Sequence, residues 1–273
     1  MYLSEDELKA VQRVELEMLV EIDRICRKNA IPYTLDSGTL LGAVRHKGFI
    51  PWDDDADVVM TRSAYERFFE ACKTELDKER FFLQDYRNEK EYRWGYPKLR
   101  RNDSLLIREG QEMLPWHQGI FVDIFVYDNV PNNWLIRRFH LFLCYLIRKA
   151  QYAIVGRETA GNCLLRGWYR ILMKIPRDTL FCVLERIHCR CNRHRTELMR
   201  HMTYPYRKRC RYGLPSKCFD EQIEMEFDGC LLLGSKEYDS YLTNLYDDYM
   251  VPPPVEERNH TLYRTVKIPD FGG

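Results

Sequence analysis

Apolar residues in the first thirty positions recur with a helical period: Leu8, Val11, Val14, Met18, Ile22 and Ile25 fall three or four apart. Ser4 stands three residues before Glu7, an arrangement in which hydroxyl and carboxylate cap a helix start reciprocally. The pattern predicts an amphipathic helix that ends before Pro32. Tyr33 to Asp36 reads as a short strand broken at Ser37-Gly38, and Thr39 to Arg45 as a second helix stopped by Gly48 and Pro51. A strand over Ala56 to Met60 precedes a third helix over Ser63 to Leu76, where Tyr65, Phe68, Phe69 and Cys72 keep helical spacing. Three β-like runs follow, Phe81 to Tyr86, Tyr96 to Arg100 and Leu105 to Arg108. Ile120 to Val126 is then apolar throughout except for Asp123.

This alternation predicts an α+β chain with a mixed sheet and flanking helices over residues 1–130. The texture changes at Asn133, with long helical stretches from Trp134 to Ile154 and from Leu164 to Ile187. Three parts are therefore expected: the core, a helical insertion over 131–212, and a C-terminal segment over 213–273 that returns to the site. No strand is read between the insertion and the proline run at Pro252-Pro253-Pro254.

Composition sharpens this division. The 273 residues are 45% hydrophobic and 30% charged, as expected of a folded globular chain rather than a disordered one. The net charge of +1 conceals an asymmetry, because Pro131 to Arg211 holds 18 Lys and Arg against four acidic residues. Such a segment suits either interfacial helices on anionic lipid or a basic subdomain packed on the sheet, and both readings stand. No nucleic-acid-binding module is recognisable, so no nucleic-acid partner is expected. No apolar run approaches the roughly 20 residues needed to span a bilayer. The ten cysteines are irregularly spaced and no secretory signal is read at the N-terminus. Reduced thiols and a cytoplasmic location, with peripheral contact at the inner membrane face, are the expectation. Cys189, Cys191, Cys210 and Cys218 lack the C-x₂₋₄-C spacing of zinc sites, so structural zinc is not expected.

The chemistry is concentrated between Leu35 and Met60. In a strand, alternate residues share a face, so Asp55 and Asp57 project together while Ala56 and Val58 point to the core. Two such carboxylates repel unless a cation sits between them, and oxygen ligands of this kind suit Mg²⁺ or Mn²⁺. Asp123, alone in an apolar strand, would cost several kcal/mol, roughly, if buried unpaired. A shared cation with Asp55 and Asp57 would supply its partner; capping of a turn or pairing with an Arg is the alternative. Asp53 has the parity of Asp55 but sits beside Pro51 and Trp52, so a turn-forming role and ligation both stay open. Gly38, at a strand-to-helix turn, allows backbone N–H groups to approach a phosphate.

The ordered set of a Ser-Gly-Thr turn, Asp-h-Asp-h and a later h-Asp-h (h apolar) resembles the polymerase-β-like nucleotidyltransferase superfamily. The stretch Asp36 to Asp57, with Gly38 to Gly42, Arg45 and Pro51-Trp52-Asp53-Asp54-Asp55, closely resembles the LicD family of phosphocholine transferases. Gly95 to Arg100, the Asp123 strand and Tyr246 to Met250 with Arg258 and His260 fit the same family. The resemblance implies metal-dependent transfer of a phospho-alcohol from a CDP-activated donor, above all CDP-choline, with release of CMP. The acceptor it implies is a hydroxyl of a cell-surface glycan, such as lipopolysaccharide or teichoic acid, or of its lipid-linked precursor. Asp55, Asp57 and Asp123 would then be catalytic and hold the metal. Gly38, Thr39, Arg45, Lys98, Arg100, Asp248, Arg258 and His260 would bind substrate, with Arg101 an alternative to Arg100. The general base stays open among Asp123, a metal-bound hydroxide and His260. Trp94, Trp116 and Tyr249 are candidates for a choline cage. A nucleotide-sugar glycosyltransferase explains Asp55 and Asp57 but gives Gly38 and Asp123 no task. A non-catalytic membrane-surface protein explains the basic helices but predicts a degraded carboxylate set.

Overall fold

The computed structural model describes residues 1–204, 210–258 and 261–270. Its helices are α1 (Glu5–Lys28), α2 (Ser37–His46), α3 (Arg62–Glu75), α4 (Trp134–Gln151), α5 (Ala153–Thr159), α6 (Cys163–Leu172), α7 (Arg177–Cys191) and α8 (Tyr238–Tyr246). Its strands are β1 (Thr34–Leu35), β2 (Ala56–Thr61), β3 (Phe81–Gln84), β4 (Lys98–Arg101), β5 (Leu105–Arg108), β6 (Phe121–Asn129), β7 (Leu198–His201), β8 (Leu214–Pro215), β9 (Gln222–Phe227), β10 (Cys230–Ser235) and β11 (Tyr263–Lys267). The Ser4–Glu7 capping box forms, and α1 buries the periodic residues from Val11 to Ile25.

The main sheet runs β1-β2-β6-β4-β3, with β7 joining β6 beyond the end of β4 and β8 joining β7. Only β2 and β6 are parallel; the other pairs in this sheet are antiparallel. β6 is buried along its length except at Asn129, as expected of a central strand covered on both faces. That explains why its sequence is continuously apolar rather than alternating.

The basic helices leave the sheet at β6 and re-enter at β7, its antiparallel neighbour. Residues 131–212 are thus not purely helical, since they contribute β7 to the core sheet. The stretch expected as one helix from Trp134 to Ile154 is two, with α4 handing over to α5 at Tyr152. Likewise α6 and α7 replace one helix, because Pro176 lacks the N–H that a continuous helix needs and instead starts α7. The C-terminal segment contains a β9–β10 hairpin that the sequence reading passed over. Its turn is Asp228-Gly229, both at positive φ (44° and 79°), the geometry Asp-Gly favours in two-residue hairpins. β11 returns along β5.

A buried ion cluster fastens the insertion to the sheet. Asp128 of β6 is fully buried and accepts two hydrogen bonds from Arg62 of α3, at 3.0 and 2.7 Å. Asn192, just after α7, donates to the same carboxylate, and His188 of α7 lies 3.5 Å away. Burial alone would raise the Asp128 pKa; Arg62 and then His188 outweigh it and bring it down to about 2. Asp128→Ala is expected to destabilise the protein by about 3–5 kcal/mol, because removing one partner leaves a buried charge uncompensated. Urea unfolding would measure this; a loss under about 1 kcal/mol would contradict the role.

Candidate active site

β1, α2 and β2 form one unit whose hydrogen bonds fix the start of α2 against β2. Asp36 N–H donates to the Asp57 carbonyl at 3.0 Å, and Asp57 N–H donates to the Thr39 hydroxyl at 2.8 Å. Thr39 is buried and does not line the cavity; it holds the backbone of Asp57 in place, a positioning task where substrate contact was expected. Ser37, the first residue of α2, takes a left-handed φ of 44° and donates to Asp36 at 2.9 Å. A Cβ on Gly38 would come within 2.6 Å of Asp53 Oδ2, so glycine lets that carboxylate reach the helix start.

The parallel pairing of β2 and β6 sets Asp57 directly beside Asp123, and the antiparallel pairing of β4 sets Lys98 on the other side of Asp123. Register partners share a face, so Asp57, Asp123 and Lys98 form one row across three strands. The partner of Asp123 is the Lys98 ammonium, where a shared metal ion was the expectation. Asp55 likewise pairs with Arg108 of β5, at 3.2 Å. Among the described residues, the group whose oxygens all lie within 4.8 Å of one another is Asp53-Asp54-Asp55, rather than Asp55, Asp57 and Asp123. The neighbours Asp53 and Asp54 thus join the acidic set that the sequence placed on alternate strand positions.

The crowding has electrostatic consequences. Burial, then Asp55, Asp123, Asp36 and Asp53, push Asp57 well above the usual carboxylate range. Asp53 rises through burial and then Asp55 and Asp54, and Asp55 through burial against the opposing pull of Arg108. Glu15 of α1 is fully buried with neither carboxylate oxygen hydrogen-bonded, and burial followed by Asp55, Asp54 and Asp53 raises it too. Lys98 is held down to about 8, first by burial, with Asp123 opposing and Arg100 and Arg108 adding to the depression. A set of oxygen donors this crowded, half-buried along a cavity wall, fits a divalent cation.

A cavity of about 570 Å³ opens over Asp53, Asp55 and Asp57, whereas Asp123 is not among the residues that line it. Gly38, Arg45, Asp55, Asp57, Asp248 and Arg258 line it, which brings six of the expected residues together. Arg45 donates to the Tyr249 carbonyl at 2.9 Å, and the Arg258 guanidinium lies 3.8 Å from the centre of the Trp52 ring. Tyr249 also lines this cavity. Lys98 and Arg100 line a different cavity, as do Trp94 and Trp116. Arg100 is buried and bonded to Gln84 and the Gly119 carbonyl, while Arg101 donates to the Arg80 carbonyl. His260 lies outside the described residues.

Arg108, Glu15 and Asp36 were not singled out in the sequence. Arg108 carried a weak signal, a charge ending the short apolar strand Leu105-Leu106-Ile107. Glu15 stood out only as a carboxylate next to Val14 on the buried side of α1. Asp36, buried, accepts from Tyr241 of α8, a partner 205 residues away that no local pattern announces.

The family model described as LicD/FKTN/FKRP, nucleotidyltransferase domain, matches residues 30–141. The lipopolysaccharide cholinephosphotransferase LicD of Haemophilus influenzae is 30% identical over 272 residues, spanning 92% of this chain and 94% of that protein. Two uncharacterised rickettsial proteins, from Rickettsia prowazekii and Rickettsia typhi, are each 50% identical over 42 residues, about 15% of this chain.

Proposed function

The chain belongs to the LicD family of phosphotransferases, and on that premise we propose that it transfers phosphocholine from CDP-choline to a hydroxyl of a lipopolysaccharide or its lipid-linked precursor, releasing CMP. The observation that carries this reading is the row of Asp57, Asp123 and Lys98 beside the start of α2, with Asp57 opening into a cavity that also holds Arg45 and Arg258. The same order of a helix start, an aspartate just before β2 and one within it, and a third on parallel β6 supports a polymerase-β-like nucleotidyltransferase core.

Within this reading Arg45, Arg258 and the backbone N–H groups at Gly38 bind the donor diphosphate. The acidic walls, with Trp52, Tyr246 and Tyr249, suit the trimethylammonium group, which prefers aromatic faces and negative charge. The cation–aromatic contact thus moves from Trp94 and Trp116 to this cavity. Asp55, Asp57 and Asp123, once released from Arg108 and Lys98, would hold a divalent ion with Asp53 and Asp54 beside them, and the ion would supply neutralisation of the diphosphate and of the departing CMP oxygen. The acceptor oxygen forms its bond to the choline-bearing phosphorus as the bond to the CMP oxygen breaks, and its proton passes to a carboxylate of the row.

Incubation with CDP-choline, CDP-glycerol, CDP-ribitol and UDP-sugars in the presence of Mg²⁺ tests the reading. CMP is expected from CDP-choline, and EDTA is expected to reduce its release at least a hundredfold. UDP release would support a glycosyltransferase instead, and silence with every donor a non-catalytic protein.

No helix among the described residues is long and apolar enough to cross a membrane. Yet α4 exposes Trp134, Leu135, Ile136, Phe139 and Phe142, each more than half exposed, and α6 exposes Leu164 at 84% and Trp168 at 48%. Such apolar surface in the most basic part of the chain fits an anionic lipid surface, where a lipid-linked acceptor would reside. The protein is expected to sediment with phosphatidylglycerol-containing vesicles and not with pure phosphatidylcholine. Phe139→Asp combined with Trp168→Asp should lower the bound fraction at least tenfold; unchanged sedimentation would remove this surface from the account.

A further inference from the structure

A second cavity, of about 370 Å³, lies on the other side of the carboxylate row. Five cationic side chains line it, Lys98, Arg100 and Arg108 from the sheet side and Arg148 and Lys149 from α4, and no Asp or Glu is among its described lining residues. Lys98, Arg100 and Arg108 converge on one ring, at 3.5, 4.8 and 5.3 Å from the centre of Phe121. Lys98 and Arg108 are offset by Asp123 and Asp55, but Arg100, 4% exposed, is hydrogen-bonded only to the neutral Gln84 side chain and Gly119 carbonyl. Two further buried donors lining the cavity, Arg108 Nε and Gln151 Nε2, have no acceptor among the described residues, and Gln151 is only 3% exposed. Unpaired donors around an excess of positive charge are built for an anion.

The remaining walls are aromatic. Trp94 stacks with Tyr152 at 6.0 Å and meets Trp116 edge-on at 5.4 Å. Flat rings of this kind take the C–H face of a sugar, whose positive edge meets the negative ring face. The same cavity repels a quaternary ammonium group.

We propose that this cavity is the acceptor subsite and that the acceptor it takes is a sugar bearing a phosphate, on the accepting residue or its neighbour. The inference rests on the transfer reading above, because its connection to that site is what makes the ligand an acceptor. Tyr204 lines both cavities, and the Lys98–Asp123 and Arg108–Asp55 pairs form the partition between them. The donor therefore meets the acidic cavity and the acceptor the basic one, with the reacting atoms at the shared wall.

Calorimetric titration of the full chain with glucose 6-phosphate, glucose and inorganic phosphate, in the absence of any nucleotide donor, tests the proposal. Glucose 6-phosphate is expected to bind at least tenfold more tightly than either of the others. The double variant Arg148→Glu/Lys149→Glu should weaken it at least tenfold, and each single variant by a smaller factor. Both positions are only half-buried on α4, and an unchanged unfolding temperature would confirm that the fold is intact. Equal binding of glucose would remove the anion, equal binding of inorganic phosphate would remove the sugar platform, and unchanged affinity in every variant would remove the location. Since no CDP-choline is present, a failure of CMP release leaves this test standing, and a failure of sugar phosphate binding leaves donor cleavage untouched.

Discussion

Asp57→Asn is expected to lower CMP release from CDP-choline by at least about 10³-fold, equivalent to about 4 kcal/mol of transition-state stabilisation. The substitution keeps the side chain's shape and leaves the backbone N–H that donates to Thr39 in place. It removes one negative charge from a buried set whose members raise one another, so the unfolding temperature should stay level or rise slightly. Activity and stability thus move independently, which a merely structural role for Asp57 would not produce. Initial rates at saturating Mg²⁺ and a thermal scan suffice. Activity within tenfold of the parent protein would remove Asp57 from the reaction.

Lys98→Met carries the second large effect. Lys98 and Asp123 have side chains only 6% and 9% exposed, and they pair across adjacent strands. Removing the ammonium leaves Asp123 buried without its described partner, expected to cost about 3–5 kcal/mol of stability, together with a loss of turnover of at least about a hundredfold. The double variant Lys98→Met/Asp123→Asn makes both members neutral, so most of the lost stability should return while turnover stays down. Urea unfolding of the two single variants and the double variant forms a cycle whose coupling term measures the pair. A coupling near zero would show that the pair contributes no more than an exposed salt bridge.

Much of this site was legible because its residues obey local periods. Asp57 lies in β2 with Asp55 two residues before it, at the residue preceding the strand, and Asp123 interrupts an apolar run, so alternation brings the first two into one cavity and marks the third. Gly38 and Arg45 sit at the two ends of a short helix that the turn residues delimit. What periodicity cannot give is the partner across space. That Asp123 meets Lys98, or Asp55 meets Arg108, depends on the order of strands in the sheet, and nothing local specifies it. The close acidic group is set in the same way: Asp55 pairs with Arg108 and Asp54 accepts from Tyr263, and both partners lie on separate strands. In the fold, the break between α4 and α5 falls at Tyr152, an ordinary residue that no propensity marks. The Asp228-Gly229 hairpin was in reach, since that dipeptide between strand-like runs is a strong turn signal.

The place where the basic helices join the sheet has an evolutionary corollary. Thr196 N–H donates to the Asn129 side chain at a sequence separation of 67, so the segment between them leaves and returns through a single narrow gate. Loop closure depends only weakly on length, about 0.6 kcal/mol for each doubling. The stretch between is thus a cassette whose size and sequence can drift while the aspartates on β2 and β6 stay in register. Relatives that decorate different glycans should differ most there, and grafting one relative's cassette into another ought to exchange acceptor choice without rebuilding the chemistry.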